Sequence, residues 1–220
     1  IGVPSGLQVV FEAGVFIAAT WLSGVLGQIY QAANQIALSI ATLTFMIANG
    51  MSVVAMIRVG NYKGMEDYIS LRRVAISIFL FILLTQVVLG GLIGLLRYQL
   101  PEFFLNTEKL DTVDNIALVI GESAHLLLIA ALFQIVDGLQ TVALGALRGL
   151  QDAKIPMILS FISYWVIAFP ICYYLGLHSS LKTTGIWIGL LVGLAFSALL
   201  QTTRFLILSS RLIRNNQTKN

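Results

Sequence analysis

Six long apolar stretches alternate with short polar breaks along the chain, at roughly 3–28, 34–57, 74–97, 116–147, 155–177 and 184–208. A hydrocarbon core of about 30 Å takes about 20 apolar residues in a helix. Backbone that faces lipid must satisfy its own hydrogen bonds, which at this length only a helix does. The pattern therefore predicts an all-α integral membrane protein, a bundle of six transmembrane helices. The breaks are RVGNYKGMEDYISLRR at 58–73, a long segment at 98–115, RGLQDAK at 148–154, HSSLKTT at 178–184 and a short turn at 28–34. Residues 209–220 form an expected cytoplasmic tail, whose polar part RLIRNNQTKN at 211–220 is expected to fray. No repeat or second domain interrupts 1–220.

Composition sharpens this reading. The chain is 58% hydrophobic and 10% charged, with a mean hydropathy of +0.90. A water-facing surface takes about 25% charged residues, so a soluble domain is excluded. A net charge of +3 with scattered basic residues gives no footprint for nucleic acid. The lone Cys172 rules out an internal disulfide, and His125 and His178 add too little for a structural zinc site. There is no cleavable signal peptide, and the start at Ile1 points to a fragment or an excised half.

Basic residues set the expected orientation. Arg58, Lys63, Arg72, Arg73, Arg148, Lys154, Arg204, Arg211, Arg214 and Lys219 fall on one side, and Arg97, Lys109 and Lys182 on the other. The richer side is expected to be cytoplasmic, with both chain ends there, in a multi-pass protein of the plasma (inner) membrane. Gly185, Gly189 and Gly193, and Gly90 with Gly94, recur at spacings that let helices approach closely. Pro170 removes a backbone donor inside the fifth stretch and is expected to bend it.

Three acids lie within predicted spans. An ionised side chain at the bilayer centre costs about 2.5–3.5 kcal/mol on insertion scales, so such residues mark function. At 1.5 Å per residue, Glu12 lies about 14 Å and Asp137 about 17 Å from the basic side, near the midplane and at similar depth. Gln8 lies four residues from Glu12. Gln134 and Thr141 flank Asp137 by three and four, on its helical face. Two midplane carboxylates with amide and hydroxyl neighbours suit a proton, or Na⁺ held by hard oxygen ligands. Glu122 and His125 read instead as an outer interfacial pair. The tryptophans and tyrosines read as belt or packing residues. Phe16, Phe45 and Phe133 are candidates for an apolar cavity wall, with core packing the plainer reading.

These residues resemble a known family. The opening IGVPSGLQVVFEAGVFIAATWLSGVLG, with Pro4 and Glu12, is similar to the seventh helix of multidrug and toxic compound extrusion (MATE) transporters of the NorM type. AANQIALSIATLTFMIANGMSVVAMIRVGNYKG resembles their eighth helix. LFQIVDGLQTVALGALRGLQDAKIPM, which carries Asp137, Gln140, Gly145, Arg148, Gly149, Asp152 and Pro156, resembles the tenth helix and its following turn. The resemblance covers the whole chain as the C-terminal six-helix lobe. It implies a twelve-helix antiporter that expels cationic or amphipathic drugs against inward Na⁺ or H⁺, with no other cofactor. It also implies an N-terminal six-helix lobe as partner, and cation binding at Glu12 and Asp137. Arg148, Gly149 and Asp152 are expected to order the turn at the cytoplasmic end. The family's Ala-His-Gln is Ala33-Asn34-Gln35 here, which keeps Gln35 near the site. Phe45 and Phe133 stand where relatives can carry tyrosine, so Na⁺ and H⁺ both stay open.

Two other readings fit the composition. Half of a lipid-linked oligosaccharide flippase would show basic residues in its cavity, whereas all thirteen here fall near helix ends or in loops. A channel or scaffold subunit needs no site at all. An intramembrane hydrolase is excluded: Ser123 and His125, two apart on a helix, face different ways.

Overall fold

The computed structural model describes residues 2–104 and 113–218, the side chains of 113–115 excepted. Six long helices account for nearly all of it, and no strand occurs among the described residues. They are α1 (Gly2–Leu26), α2 (Gln28–Gly64), α3 (Tyr68–Leu95), α4 (Val113–Gly149), α5 (Lys154–Leu177) and α6 (Lys182–Gln217). A single 3₁₀ turn, Leu100–Phe103, follows α3.

The helices outrun the apolar stretches that predicted them. The turn expected at 28–34 is helical from Gln28, and only Gly27, at φ 123°, separates α1 from α2. That backbone region is open to glycine at no steric cost. The break expected at 58–73 shrinks to Met65–Asp67. The tail expected to fray from 211 is helical through Gln217. Hydropathy marks the thickness of the hydrocarbon, whereas α2, with 37 residues, is about 55 Å long at 1.5 Å per residue. Charged turns at helix ends project past the apolar core and escape a hydropathy reading. Lys109, Lys219 and residues 105–112 of the 98–115 segment lie outside the described residues.

Around α4 pack α2, α3 and α6, and α1 and α5 close the bundle on one side. Two apolar cores stack along its axis. One gathers Val15, Leu22, Leu126, Leu127, Trp187 and Leu194; the other gathers Ala55, Leu71, Ile78, Ile82, Leu147 and Phe205. Polar side chains fill the level between them. Gln86 donates to the Thr44 carbonyl and Gln134 to the Gln86 carbonyl, both at 3.4 Å. Gln201 donates to Ser160 and Ser197 at 3.0 and 2.9 Å. All but the Gln201–Ser197 bond, which lies within α6, join neighbouring helices where no water can serve.

Small residues set the tightest crossings. A Cβ on Gly145 would stand 2.2 Å from the Ser52 carbonyl oxygen, and one on Gly149 2.6 Å from that of Met56. Ser52 Oγ spans the same crossing to the Thr141 carbonyl at 2.7 Å. The stripe of Gly185, Gly189 and Gly193 seats α6 against α5 at Leu175, Cys172 and Ala168. Gly90 abuts Ala131, but Gly94 faces open space, so only the first of that pair makes a close approach. In α5 the ladder widens to a π turn over Ile162–Ala168, one residue short of the last residue before Pro170. Large apolar side chains such as Ile17, Trp21, Leu84, Val88 and Leu199 stand exposed. On helices this long and apolar, such faces belong against lipid or another membrane helix.

Candidate functional site

The α4 positions Phe133, Asp137, Thr141, Leu144 and Arg148 recur every three or four residues and so share one face. All five line a single cavity of about 520 Å³. Opposite them, α1 contributes Val9, Glu12, Ala13 and Phe16. A longer stripe on α2 includes Gln35, Thr42, Phe45, Asn49 and Ser52. The walls are mostly apolar, with the polar groups confined to a few positions, as in small-molecule sites generally.

Seven of the nine residues singled out from sequence meet at this cavity: Glu12, Asp137, Phe16, Gln35, Phe45, Phe133 and Thr141. Gln8 and Gln134 do not line it. Gln8 is buried and accepts from the Arg148 guanidinium at 3.4 Å. Gln134 turns to α3, where it donates to the Gln86 carbonyl. Three residues before Asp137 lies 60° round the helix from it, enough to change which neighbour a side chain meets. Thr141 stays on the stripe; Gln134 leaves it.

The two acids have unlike surroundings. Tyr164 Oη donates to Glu12 Oε1 at 3.3 Å, from a ring that is 1% exposed. Asp137 is 5% exposed, makes no hydrogen bond among the described residues, and opens onto the cavity. Phe133 packs edge-on against both Phe16 and Trp187, with centroids 5.8 and 5.7 Å apart. It thus serves cavity wall and core together. Trp187 Nε1 donates to Asn34 Oδ1 at 2.9 Å in the same core, so the asparagine beside Gln35 is held away from the cavity.

Two sequence expectations need correction. Tyr164, read with the other tyrosines as belt or packing, is the hydrogen-bond partner of Glu12. It sits inside the π turn, whose extra residue shifts the facing of side chains in a way that a 3.6-residue period does not foresee. Arg148, expected only to order a turn and to stay out of the cavity, forms part of its wall. The stripe from Phe133 through Asp137 and Thr141, continued by two more turns, would have found it. Gly149 and Asp152 do sit in that turn as expected. Gly149 presses on α2, and Asp152 pairs with Arg204 of α6. Lys63 closes the turn by donating to the Leu150 carbonyl at 2.8 Å.

Glu122 and His125 form no ion pair or hydrogen bond with each other among the described residues. Ser123 is buried while His125 is exposed, as their spacing requires. No group of three or more histidine, cysteine or acidic residues with metal-site geometry occurs among the described residues. What the cavity offers is oxygen: the Glu12 and Asp137 carboxylates, the Thr141 hydroxyl and, behind Glu12, the Tyr164 phenol. Two carboxylates against one guanidinium, all ionised, leave one negative charge for a cation or proton to neutralise.

The MatE family model matches residues 4–174. The chain belongs to the MatE family. A multidrug resistance protein NorM of Burkholderia vietnamiensis is 40% identical to this MatE chain over 97% of its length and 45% of the relative's. Probable multidrug resistance proteins NorM of Rhodopseudomonas palustris and Agrobacterium fabrum are 42% and 36% identical. They cover 93% and 96% of the MatE chain and 42% and 44% of their own lengths. The chain thus spans less than half the length of these relatives. A solved outward-facing multidrug resistance MATE family transporter of the MOP superfamily superposes with a TM-score of 0.86 at 17% identity, over 97% of this chain and 46% of the other. At that identity the likeness is one of fold, and the fold is half of a MATE transporter.

Proposed function

We propose that this MatE chain is the C-terminal six-helix lobe of a secondary multidrug efflux antiporter, in which Glu12 and Asp137 bind the coupling ion, Na⁺ or H⁺. The observation that carries the reading is the shared cavity: two carboxylates from α1 and α4 face one space walled by Phe16, Phe45 and Phe133. Cationic or amphipathic drugs suit that mixture of aromatic wall and acid. The partner is an N-terminal six-helix lobe, and the site would lie near the midplane between the two lobes, which rock to expose it alternately. In this reading the protein occupies the plasma (inner) membrane with the basic helix ends and both ends of this chain inside. The NorM relatives, named for multidrug resistance, support the cargo class.

Exchange follows from competition at the acids. Facing inward, the carboxylates help hold a cationic drug; facing outward, Na⁺ or H⁺ takes them and the drug leaves. One charge crossing ~100 mV supplies about 2.3 kcal/mol, enough to sustain roughly a fiftyfold gradient of a neutral substrate. A monovalent drug exchanged one for one cancels that electrical contribution and draws instead on the ion's concentration gradient, or on a second ion.

In the full-length transporter, Glu12→Gln and Asp137→Asn should each abolish drug efflux from proteoliposomes under an imposed ion gradient, while membrane insertion is unchanged. Normal efflux by both variants would remove the coupling site. A second reading gains ground from Arg148. A guanidinium on the cavity wall is what the flippase half was expected to show and what sequence placement had denied. Arg148→Gln separates the readings: drug antiport should survive it in some measure, whereas flipping of a pyrophosphate-linked lipid should not.

A further inference from the structure

Thr203, Leu206, Ile207, Ser210, Arg211 and Arg214 repeat at three- and four-residue steps along the last turns of α6, so they share one face. Together they line a shallow concavity of about 520 Å³ that shares no lining residue with the cavity between α1, α2 and α4. The face changes character along its length. Leu206 and Ile207 are 37% and 47% exposed, and they lie within the last apolar stretch of the sequence. One turn on, Ser210, Arg211 and Arg214 are exposed. From α3, Arg72 reaches across to donate to Ser210 Oγ at 3.1 Å, which brings a third guanidinium to the same level.

None of these three arginines has an acidic partner among the described residues, where the only ion pair is that of Asp152 with Arg204. The acids of the neighbouring turn are Glu66 and Asp67. Asp67 is engaged in capping α3, accepting from the Ser70 amide at 3.0 Å. Glu66 meets this end of α6 through its backbone carbonyl, which accepts from Asn216 Nδ2 at 3.4 Å. Three positive charges without compensation adjoin an exposed apolar turn at the edge of a membrane span. An occupant that suits both parts carries negative charge at one end and hydrocarbon at the other.

We propose that this face binds an anionic phospholipid, with its phosphate held by Arg72, Arg211 and Arg214 and an acyl chain laid along Leu206 and Ile207. Guanidinium groups grip phosphate oxygens in paired hydrogen bonds, and a free phosphate would leave the apolar turn uncovered. Basic pockets beside membrane helices take acidic headgroups on the same grounds. The site does not depend on what the larger protein transports.

Native mass spectrometry of the full-length protein, titrated with dioleoylphosphatidylglycerol or dioleoylphosphatidylcholine, tests it. The wild-type protein should hold at least one phosphatidylglycerol in preference to phosphatidylcholine, and the preference should shrink as salt rises. Each arginine near a charged membrane surface is worth roughly a fivefold change in binding. The double variant Arg211→Gln/Arg214→Gln should therefore bind phosphatidylglycerol about 25-fold more weakly. Arg97→Gln, at the opposite end of α3 from Arg72, should leave it unchanged. The proposal is overturned if the wild-type protein shows no headgroup preference, a measurement that needs no variant. It is also overturned if the double variant binds as before, or loses both lipids equally, as a face built to pack against protein would.

Discussion

Glu12 and Asp137 are alike in chemistry and depth but unlike in company. A phenol holds the first, and the second faces the cavity bare. The Tyr164 hydroxyl is the one group whose removal alters the Glu12 carboxylate without touching charge or volume by more than an oxygen. A hydrogen bond to a charged group contributes about 1.5–3 kcal/mol. Because the phenol stabilises the empty, ionised carboxylate, Tyr164→Phe should lower the coupling-ion concentration for half-maximal efflux by roughly tenfold. An unchanged ion dependence would mean that the phenol only packs. In the turn between α2 and α3, the Asp67 carboxylate accepts from the Ser70 amide, which holds its pKa below the usual carboxylate value. A carboxylate lowered in this way stabilises the folded helix end above its unfolded pKa and loses that effect as pH falls through the folded one. Amide protection at Ser70 and its neighbours, taken relative to the intrinsic exchange rate at each pH, should therefore fall below about pH 4, and Asp67→Asn should remove that change.

At the scale of elements, the crossing of α2 and α4 sets the cavity, because Asp137 and Phe45 face it from those two helices. Gly145 stands where any side chain would collide with the Ser52 backbone. Gly145→Val should force the pair apart at a cost of about 1–3 kcal/mol or more, read as a lower melting temperature in detergent and weaker substrate binding together. The existence of all six helices was legible in the chain, because hydrocarbon thickness imposes a run length that nothing else does. Their ends were not, since helix outlasts hydropathy wherever charged turns reach water, as at Lys63 and Arg214. Most of the cavity was legible from the spacing on α4 and the two acids within apolar stretches. Tyr164 was not, for its placement comes from a π turn that has no period of its own. Arg148 was misplaced for a different reason: a residue near a helix end was taken to be outside the cavity, yet the cavity runs the length of the stripe that ends in it.

Across the whole molecule, a layer of buried amides, hydroxyls and acids divides two apolar cores. That arrangement keeps costly groups away from lipid and joins the helices at the level where the chemistry lies. The lobe is built to be stiff above and below that layer. Between α1 and α2 stands one residue, Gly27. Glu12 lies fifteen residues, or about 22 Å, down α1 from that joint. If the two helices splay like the legs of a compass, ten degrees at the pivot carries the carboxylate about 4 Å across the gap. That is more than the length of a hydrogen bond. Val15, in the first core on the same helix, would travel about 3 Å with it. Glu12 can therefore leave a ligand that Asp137 still holds only if that core slides along α1.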